Sequence, residues 1–223
     1  SRTGRDIYFR PDGSLKKIGD LIVNPDLAKT LRRIAAEGAD VFYKGDIAAR
    51  IAEDMQANGG LLSDEDLFQY KTTRNHPLET TYRGLKISSN HPPGGGIMVL
   101  EMLNILEHFD LAAMGHNSVD YLRTVTEAMK RATSDKDLYV GDPEFVDVPL
   151  DRLISKEHAR SHSDEIRSGQ RASVERMSYE SKDTTHVCVV DKDGNSASMT
   201  HSLGMPSGVI TNGLGFMYNG CMG

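Results

Sequence analysis

No apolar stretch in this sequence approaches the ~20 residues that a membrane-spanning helix needs. Basic charge is also short: 26 Lys and Arg face 32 Asp and Glu, a formal net charge of −6. A nucleic-acid binder neutralises phosphates with clustered Lys and Arg, so that class is set aside. Cysteine is scarce. Cys188 and Cys221 are the two present, and they give neither a disulfide framework nor a zinc spacing. Both are expected as small hydrophobic core residues. The first residues, Ser1-Arg2-Thr3-Gly4-Arg5-Asp6, are polar and carry no signal-peptide pattern. The hydrophobic share of 38% is a little low for a globular domain but far from disorder. A length of 223 residues suffices for a sizeable core in one large domain or parts of two.

What is present reads first as helices. Asn24 caps and Pro25 opens a helix with Leu27, Leu31, Ile34 and Ala35 at helical spacing, closed by Gly38. A second runs from about Asp46, with Ile47, Ile51 and Met55 on one face, to Asn58-Gly59-Gly60. Ser63 to Asp66 resembles a capping box opening a third. Thr80-Thr81-Tyr82 and Leu85-Lys86-Ile87 flank Arg83-Gly84 as strand pieces. Gly94-Gly95-Gly96 then leads into a helix with Met98, Met102, Ile105, Leu106 and Phe109 on its stripe. Such a glycine run can bind an anion at a helix start. Without a following Gly-Lys-Ser/Thr, a close backbone crossing that glycine alone fits is expected instead. A long helix capped near Asn117 or Ser118 is predicted to bury Leu122, Val125, Met129 and Ala132. Its wet side is predicted to carry Glu127, Lys130 and Arg131. Gly141-Asp142-Pro143 ends it. Asp151 to Arg167 reads as a charged helical stretch. Its His158 and His162 stand at i,i+4, a spacing that can hold a metal. No Glu follows the first His as in the zinc-protease motif and the stretch is very polar, so a solvated helix and no metal site are expected.

Residues 168–183 read as an exposed polar loop, and the character then changes. Thr185 to Val190 is a strand, Asp191-Lys192-Asp193-Gly194-Asn195 a turn, and Ser196 to Thr200 a returning strand. A polar loop running into a strand that begins at a threonine is the layout an N-terminal nucleophile needs. A threonine hydroxyl is weak and requires a base beside it. If the bond between Asp183 and Thr184 is cut, the freed α-amino group of Thr184, with a pKa near ~7.7–8.0, can be that base. By spacing alone the alternative, a β-branched residue in a sheet, stays open.

Lys182-Asp183-Thr184-Thr185-His186-Val187-Cys188-Val189-Val190-Asp191-Lys192-Asp193-Gly194-Asn195 resembles the start of the small subunit of gamma-glutamyltranspeptidases. Upstream blocks are similar to the same family in order, among them Asn24-Pro25-Asp26-Leu27-Ala28, Gly38-Ala39-Asp40-Val41-Phe42-Tyr43-Lys44-Gly45, Tyr82-Arg83-Gly84, Gly94-Gly95-Gly96, Leu103-Asn104-Ile105-Leu106-Glu107 and Gly141-Asp142-Pro143. The resemblance spans essentially the whole chain. It implies the α/β (α+β) class, as part of a four-layer αββα sandwich of the N-terminal-nucleophile hydrolases. Residues 1–183 would be the later, mostly helical part of a large subunit, and residues 184–223 the first strands of a small catalytic one. After cleavage at Asp183-Thr184 the two subunits would form a heterodimer. No cofactor is expected. Thr184 matches the family's nucleophile and Ser202 the position whose hydroxyl supports it. The implied substrate is a γ-glutamyl amide such as glutathione, and a periplasmic or secreted location fits the family.

The match has departures. Many members carry Asn, which helps hold the substrate, at the position of Gly204. Asn219-Gly220-Cys221-Met222-Gly223 resembles an Asn-Asn-x-Met-Asp stretch with Gly at two places. The family's oxyanion-hole glycines and substrate-gripping acid and arginine match nothing in this stretch. Three expectations follow: γ-glutamyl transfer or hydrolysis by the whole protein, a related acylase acting on cephalosporin side chains or poly-γ-glutamate, or a non-catalytic fragment. The 223-residue stretch alone is expected to be inactive, to stay uncut, and to self-associate through open sheet edges.

Overall fold

The computed structural model describes residues 1–174 and 184–220. In chain order the elements are α1 (Arg2–Tyr8), α2 (Pro25–Glu37), α3 (Asp40–Tyr43), α4 (Asp46–Ala57), α5 (Asp64–Gln69), β1 (Leu78–Tyr82), β2 (Leu85–Ser89), α6 (Gly96–Leu106), α7 (Leu111–Met114), α8 (Val119–Tyr139), α9 (Leu150–Leu153), α10 (Lys156–Arg167), β3 (Thr184–Val190) and β4 (Ser196–Ser202). They fold into two compact units, Ser1–Thr72 with Ser178–Gly223, and Thr73–Met177. The spatial division therefore does not follow the 183/184 boundary expected from the sequence.

In the first unit the helix signals are realised as physics. Asn24 Oδ1 accepts the Leu27 N–H at 3.0 Å, and Pro25 occupies the first turn of α2. Ser63 and Asp66 form the reciprocal box at the start of α5. Ile47 and Ile51 of α4 are buried with Val41, Ala48, Leu67 and Leu214, each fully buried aliphatic side chain contributing roughly 1.5–3 kcal/mol. Leu214 belongs to the segment after β4. Thr30 Oγ1 donates to the Leu214 carbonyl at 2.9 Å, and Asn24 Nδ2 to that of Gly215 at 2.7 Å. Gly215 lies at φ +78°, and a Cβ there would run into the Leu27 amide and the Asn24 side chain. Glycine is thus required where the C-terminal segment crosses the start of α2.

In the second unit β1 and β2 form an antiparallel hairpin closed at Arg83 (φ +50°) and Gly84 (φ +81°), the two positive-φ positions of a tight turn. Helix α6 packs against this hairpin and against α8, α9 and α10. Burial on many sides explains why it is apolar almost all round, with Ile97, Leu100 and Ile105 inaccessible. Asn104, also inaccessible, donates to the Ile154 carbonyl (2.8 Å) and accepts from Thr80 (2.8 Å) and Lys156 (2.7 Å), so its amide is satisfied. The glycine run before α6 is a close crossing. A Cβ at Gly94 would strike the Asn90 side chain, and one at Gly96 the Asn90 carbonyl.

Two expectations are corrected, and one is refined. On α8 the buried positions are Thr124, Glu127, Ala128, Arg131, Ala132 and Asp135, while Leu122 and Met129 are half exposed. The supposed wet side faces inward because its charges are paired. Arg131 meets Glu127 at 2.6 Å and Glu165 at 3.2 Å. Its Nη2 donates to the Gln170 carbonyl at 3.0 Å, and Ala172 N–H donates to Glu127 at 3.0 Å. Burial opposes ionisation of Glu127, but hydrogen bonds from Lys130, Ala172 and Arg131 outweigh it and hold the carboxyl at a pKa of about 2. The charged stretch from Asp151 is two helices, because Ser155 caps α10 through the His158 N–H (3.1 Å). Cys188 is exposed rather than in a core; Cys221 lies outside the described residues. Among those residues no helix is long and apolar enough to cross a membrane.

Candidate functional site

Thr184 is the first residue of β3, and register places it opposite Ser202, the last of β4. The turn that sets this register is organised by Asp191. Its carboxylate accepts the N–H groups of Asp193 and Asn195 at 2.9 Å and the Asn195 amide at 2.8 Å. These hydrogen bonds, the Asn195 side chain first, hold the Asp191 carboxyl below the usual range. Gly194 supplies the positive φ of +83°. With the turn fixed, alternate residues of the two strands share one face. That face is a polar ladder. Thr184 Oγ1 lies 2.9 Å from Ser202 Oγ, His186 Nδ1 2.7 Å from Thr200 Oγ1, and His186 Nε2 3.1 Å from Ser198 Oγ. Cys188 Sγ is 3.2 Å from His186 Nε2. Every residue of both strands is exposed. The hairpin therefore presents Thr184 at its open end, away from the turn.

Ser202 is itself held. Its Oγ accepts the Gly204 N–H at 2.9 Å, which fixes where the hydroxyl sits beside Thr184. Gly204 lies at φ +63°. The structure thus brings Thr184, Ser202 and Gly204 into one short hydrogen-bonded run. Asp183, the other half of the processing expectation, lies outside the described residues.

A second constellation lies in the helical unit. His158 and His162 of α10 do not face solvent as a polar helix would have them. They turn toward Asp135 of α8 and Glu101 of α6, and one donor atom from each of the four lies within 4.8 Å of the others. His158 Nε2 is 2.6 Å and His162 Nε2 3.2 Å from the same oxygen, Asp135 Oδ2. Glu101 is 1% exposed, and burial first, then the adjacent Asp135, pushes its carboxyl up to about 9. Burial alone would push Asp135 up too, but hydrogen bonds from both histidines and Glu101 drive it well below the usual range. Burial opposes protonation of His162; Asp135 and Glu165 outweigh it and raise its pKa. Neither carboxylate drew notice in the sequence, since each comes from a different helix. The signal was there for Glu101: an acid on the buried stripe, one turn after Ile97 and one turn before Ile105.

Comparisons with known proteins agree along the chain. The family model described as gamma-glutamyltranspeptidase matches residues 1–223. A glutathione hydrolase proenzyme of Escherichia coli is 42% identical over 230 residues, covering 97% of this chain and 39% of that protein. The solved gamma-glutamyltranspeptidase of Helicobacter pylori superposes with a TM-score of 0.70 at 39% identity, covering 77% of this chain and 48% of that one. The cephalosporin acylase of Bacillus halodurans superposes with a TM-score of 0.82 at 28% identity, covering 98% and 40%. The chain spans about two fifths of the length of the curated relatives it matches.

Proposed function

The chain belongs to the gamma-glutamyltranspeptidase family, and from that premise we propose that the whole protein transfers or hydrolyses γ-glutamyl groups through Thr184. Its fold is the α/β N-terminal-nucleophile hydrolase type, helix-rich before β3 and with small sheets. The observation that carries the reading is the 2.9 Å approach of Ser202 Oγ to Thr184 Oγ1 at the open end of the hairpin. In the precursor, Thr184 Oγ attacks the Asp183 carbonyl carbon and the peptide C–N bond breaks. The acyl group then sits on oxygen as an ester, and the Thr184 amine takes the proton. Water opens the ester, leaving residues 1–183 in the large subunit and Thr184 as the first residue of the small one. The freed amine accepts the hydroxyl proton as Thr184 Oγ attacks the γ-carbonyl carbon of a glutathione-type amide. The amide C–N bond breaks, and its nitrogen leaves with that proton. Water or an amino acid then takes the γ-glutamyl group from the ester. Ser202 positions the attacking oxygen in both steps.

Gly204 favours a second reading, a related acylase, because it offers a γ-glutamyl substrate no side chain. The full-length precursor decides both. It is expected to give two pieces, the smaller beginning Thr184-Thr185-His186, and to turn over γ-glutamyl-p-nitroanilide. Thr184→Ala should leave one uncut, inactive piece. A small-subunit N-terminus elsewhere, or an active Thr184→Ala protein, overturns the assignment. Turnover of glutaryl-p-nitroanilide in preference to the γ-glutamyl compound selects the acylase.

A further inference from the structure

We infer that Glu101, Asp135, His158 and His162 form a closed binding site for one divalent metal ion of the zinc type, which ties helices α6, α8 and α10 together. The Thr184 chemistry uses none of these residues.

The first argument is convergence. A tetrahedral ion with ligand bonds of 2.0–2.1 Å needs donors about 3.3 Å apart. The separations here straddle that value. His158 Nε2 to His162 Nε2 is 3.1 Å, His162 Nε2 to Asp135 Oδ2 is 3.2 Å, and both histidine nitrogens lie 3.8 Å from Glu101 Oε1. The closest pair, His158 Nε2 and Asp135 Oδ2 at 2.6 Å, must open by about 0.7 Å to reach that separation, which a rotation of the aspartate side chain supplies.

The second argument is an unmet need. Among the described residues Glu101 Oε1 is buried without a hydrogen-bond partner, although leaving such an atom unsatisfied costs free energy. It is aimed at the two imidazoles. Those imidazoles both direct Nε2 at the single oxygen Asp135 Oδ2, and at each other, so one carboxylate oxygen is asked to satisfy two rings. One cation among the four atoms satisfies all of them together.

The surroundings suit a ligand set. His162 Nδ1 lies 3.4 Å from Glu165 Oε2, and Arg131 Nε holds that carboxylate at 3.2 Å. A carboxylate behind a histidine fixes the ring with its proton on Nδ1 and leaves Nε2 free to ligate. Two nitrogens and two carboxylates suit zinc and its tetrahedral relatives, whereas magnesium and calcium favour all-oxygen sites. Four protein donors leave no open position, so the site is structural rather than catalytic. The histidine side chains remain 19% and 16% exposed, which gives the ion a way in.

The test is direct metal binding to full-length, metal-stripped protein. Zn2+ followed by calorimetry should saturate at one equivalent. Co2+ should give the intense visible bands of a tetrahedral site, bleached by Zn2+ and untouched by Mg2+. Zn2+ should raise the melting temperature of the wild type. Glu101→Gln keeps side-chain volume, and it and the His158→Ala and His162→Ala variants should lose affinity by about 10–100-fold or more. Thr184→Ala should bind as wild type does. The near-isosteric Glu101→Gln protein, checked for wild-type circular dichroism, guards against loss of binding through misfolding. No binding at one equivalent, or binding that survives Glu101→Gln and both histidine changes, overturns the site.

Discussion

Thr184 Oγ1 and Ser202 Oγ stand 2.9 Å apart across the open end of the β3–β4 hairpin, and the Gly204 N–H in turn donates to the serine. The register that pairs them is set at the far end of a ladder of seven residue pairs, by the Asp191 turn.

Ser202→Ala removes one hydrogen bond to Thr184 Oγ1, the oxygen proposed to attack. Such a bond is worth about 0.5–1.5 kcal/mol, so kcat on γ-glutamyl-p-nitroanilide should fall by roughly 2- to 12-fold with KM little changed. Ser202→Thr keeps the hydroxyl and should retain most of the rate. Equal losses in both variants would mean that packing, not the hydroxyl, matters at this position.

Gly204 occupies the left-handed region at φ +63°, which asparagine enters more readily than most residues. Gly204→Asn should therefore fold normally. It supplies the asparagine that the family resemblance implies at this position, so the preference for γ-glutamyl over glutaryl anilide should increase. Gly204→Val, which the same φ disfavours, should lower thermal stability. A preference unmoved by Gly204→Asn would detach this position from substrate choice.

Much of this is legible in the sequence. Asn24, Pro25 and Ser63 announced their helices because capping is local chemistry. Asp191 and Gly194 announced the hairpin for the same reason. The orientation of α8 was not legible, because Glu127, Arg131 and Asp135 look like solvated charges until their partners arrive from α10 and the loop after it. The histidine pair was visible at i,i+4, but Glu101 lies 57 positions before His158 in the sequence and only tertiary packing joins them. Cys188 failed because a lone β-hairpin has no interior to put it in.

Arg131 is 4% exposed and joins α8 to Glu165 of α10 and to the Gln170 carbonyl. Removing one partner of a buried pair strands the other charge and typically costs about 3–5 kcal/mol. Arg131→Ala should destabilise the protein by that amount in urea unfolding. Arg131→Met with Glu127→Leu, which removes both charges, should recover a large part of the loss. A single-site cost below about 1 kcal/mol would put the pair in the class of weak surface bridges.

The same pair makes stability depend on acid. Glu127 ionises in the folded protein with a pKa of about 2, against an ordinary value of 4.5. Burial works against the charge, and the hydrogen bonds from Lys130, the Ala172 N–H and Arg131 more than offset it. A depressed carboxyl pKa means that the unfolded chain binds the proton more tightly than the folded one, so falling pH favours unfolding. The contribution is fully present above pH ~4.5 and is lost as pH falls through about 2. Melting temperature recorded from pH 6 downward should fall across that window in the wild type. Glu127→Gln cannot titrate there, so its curve should start lower at pH 6 and fall less steeply, the two converging toward pH ~2. Parallel curves for the two proteins would show that the acid sensitivity comes from other carboxylates and that Glu127 is not held ionised by its partners.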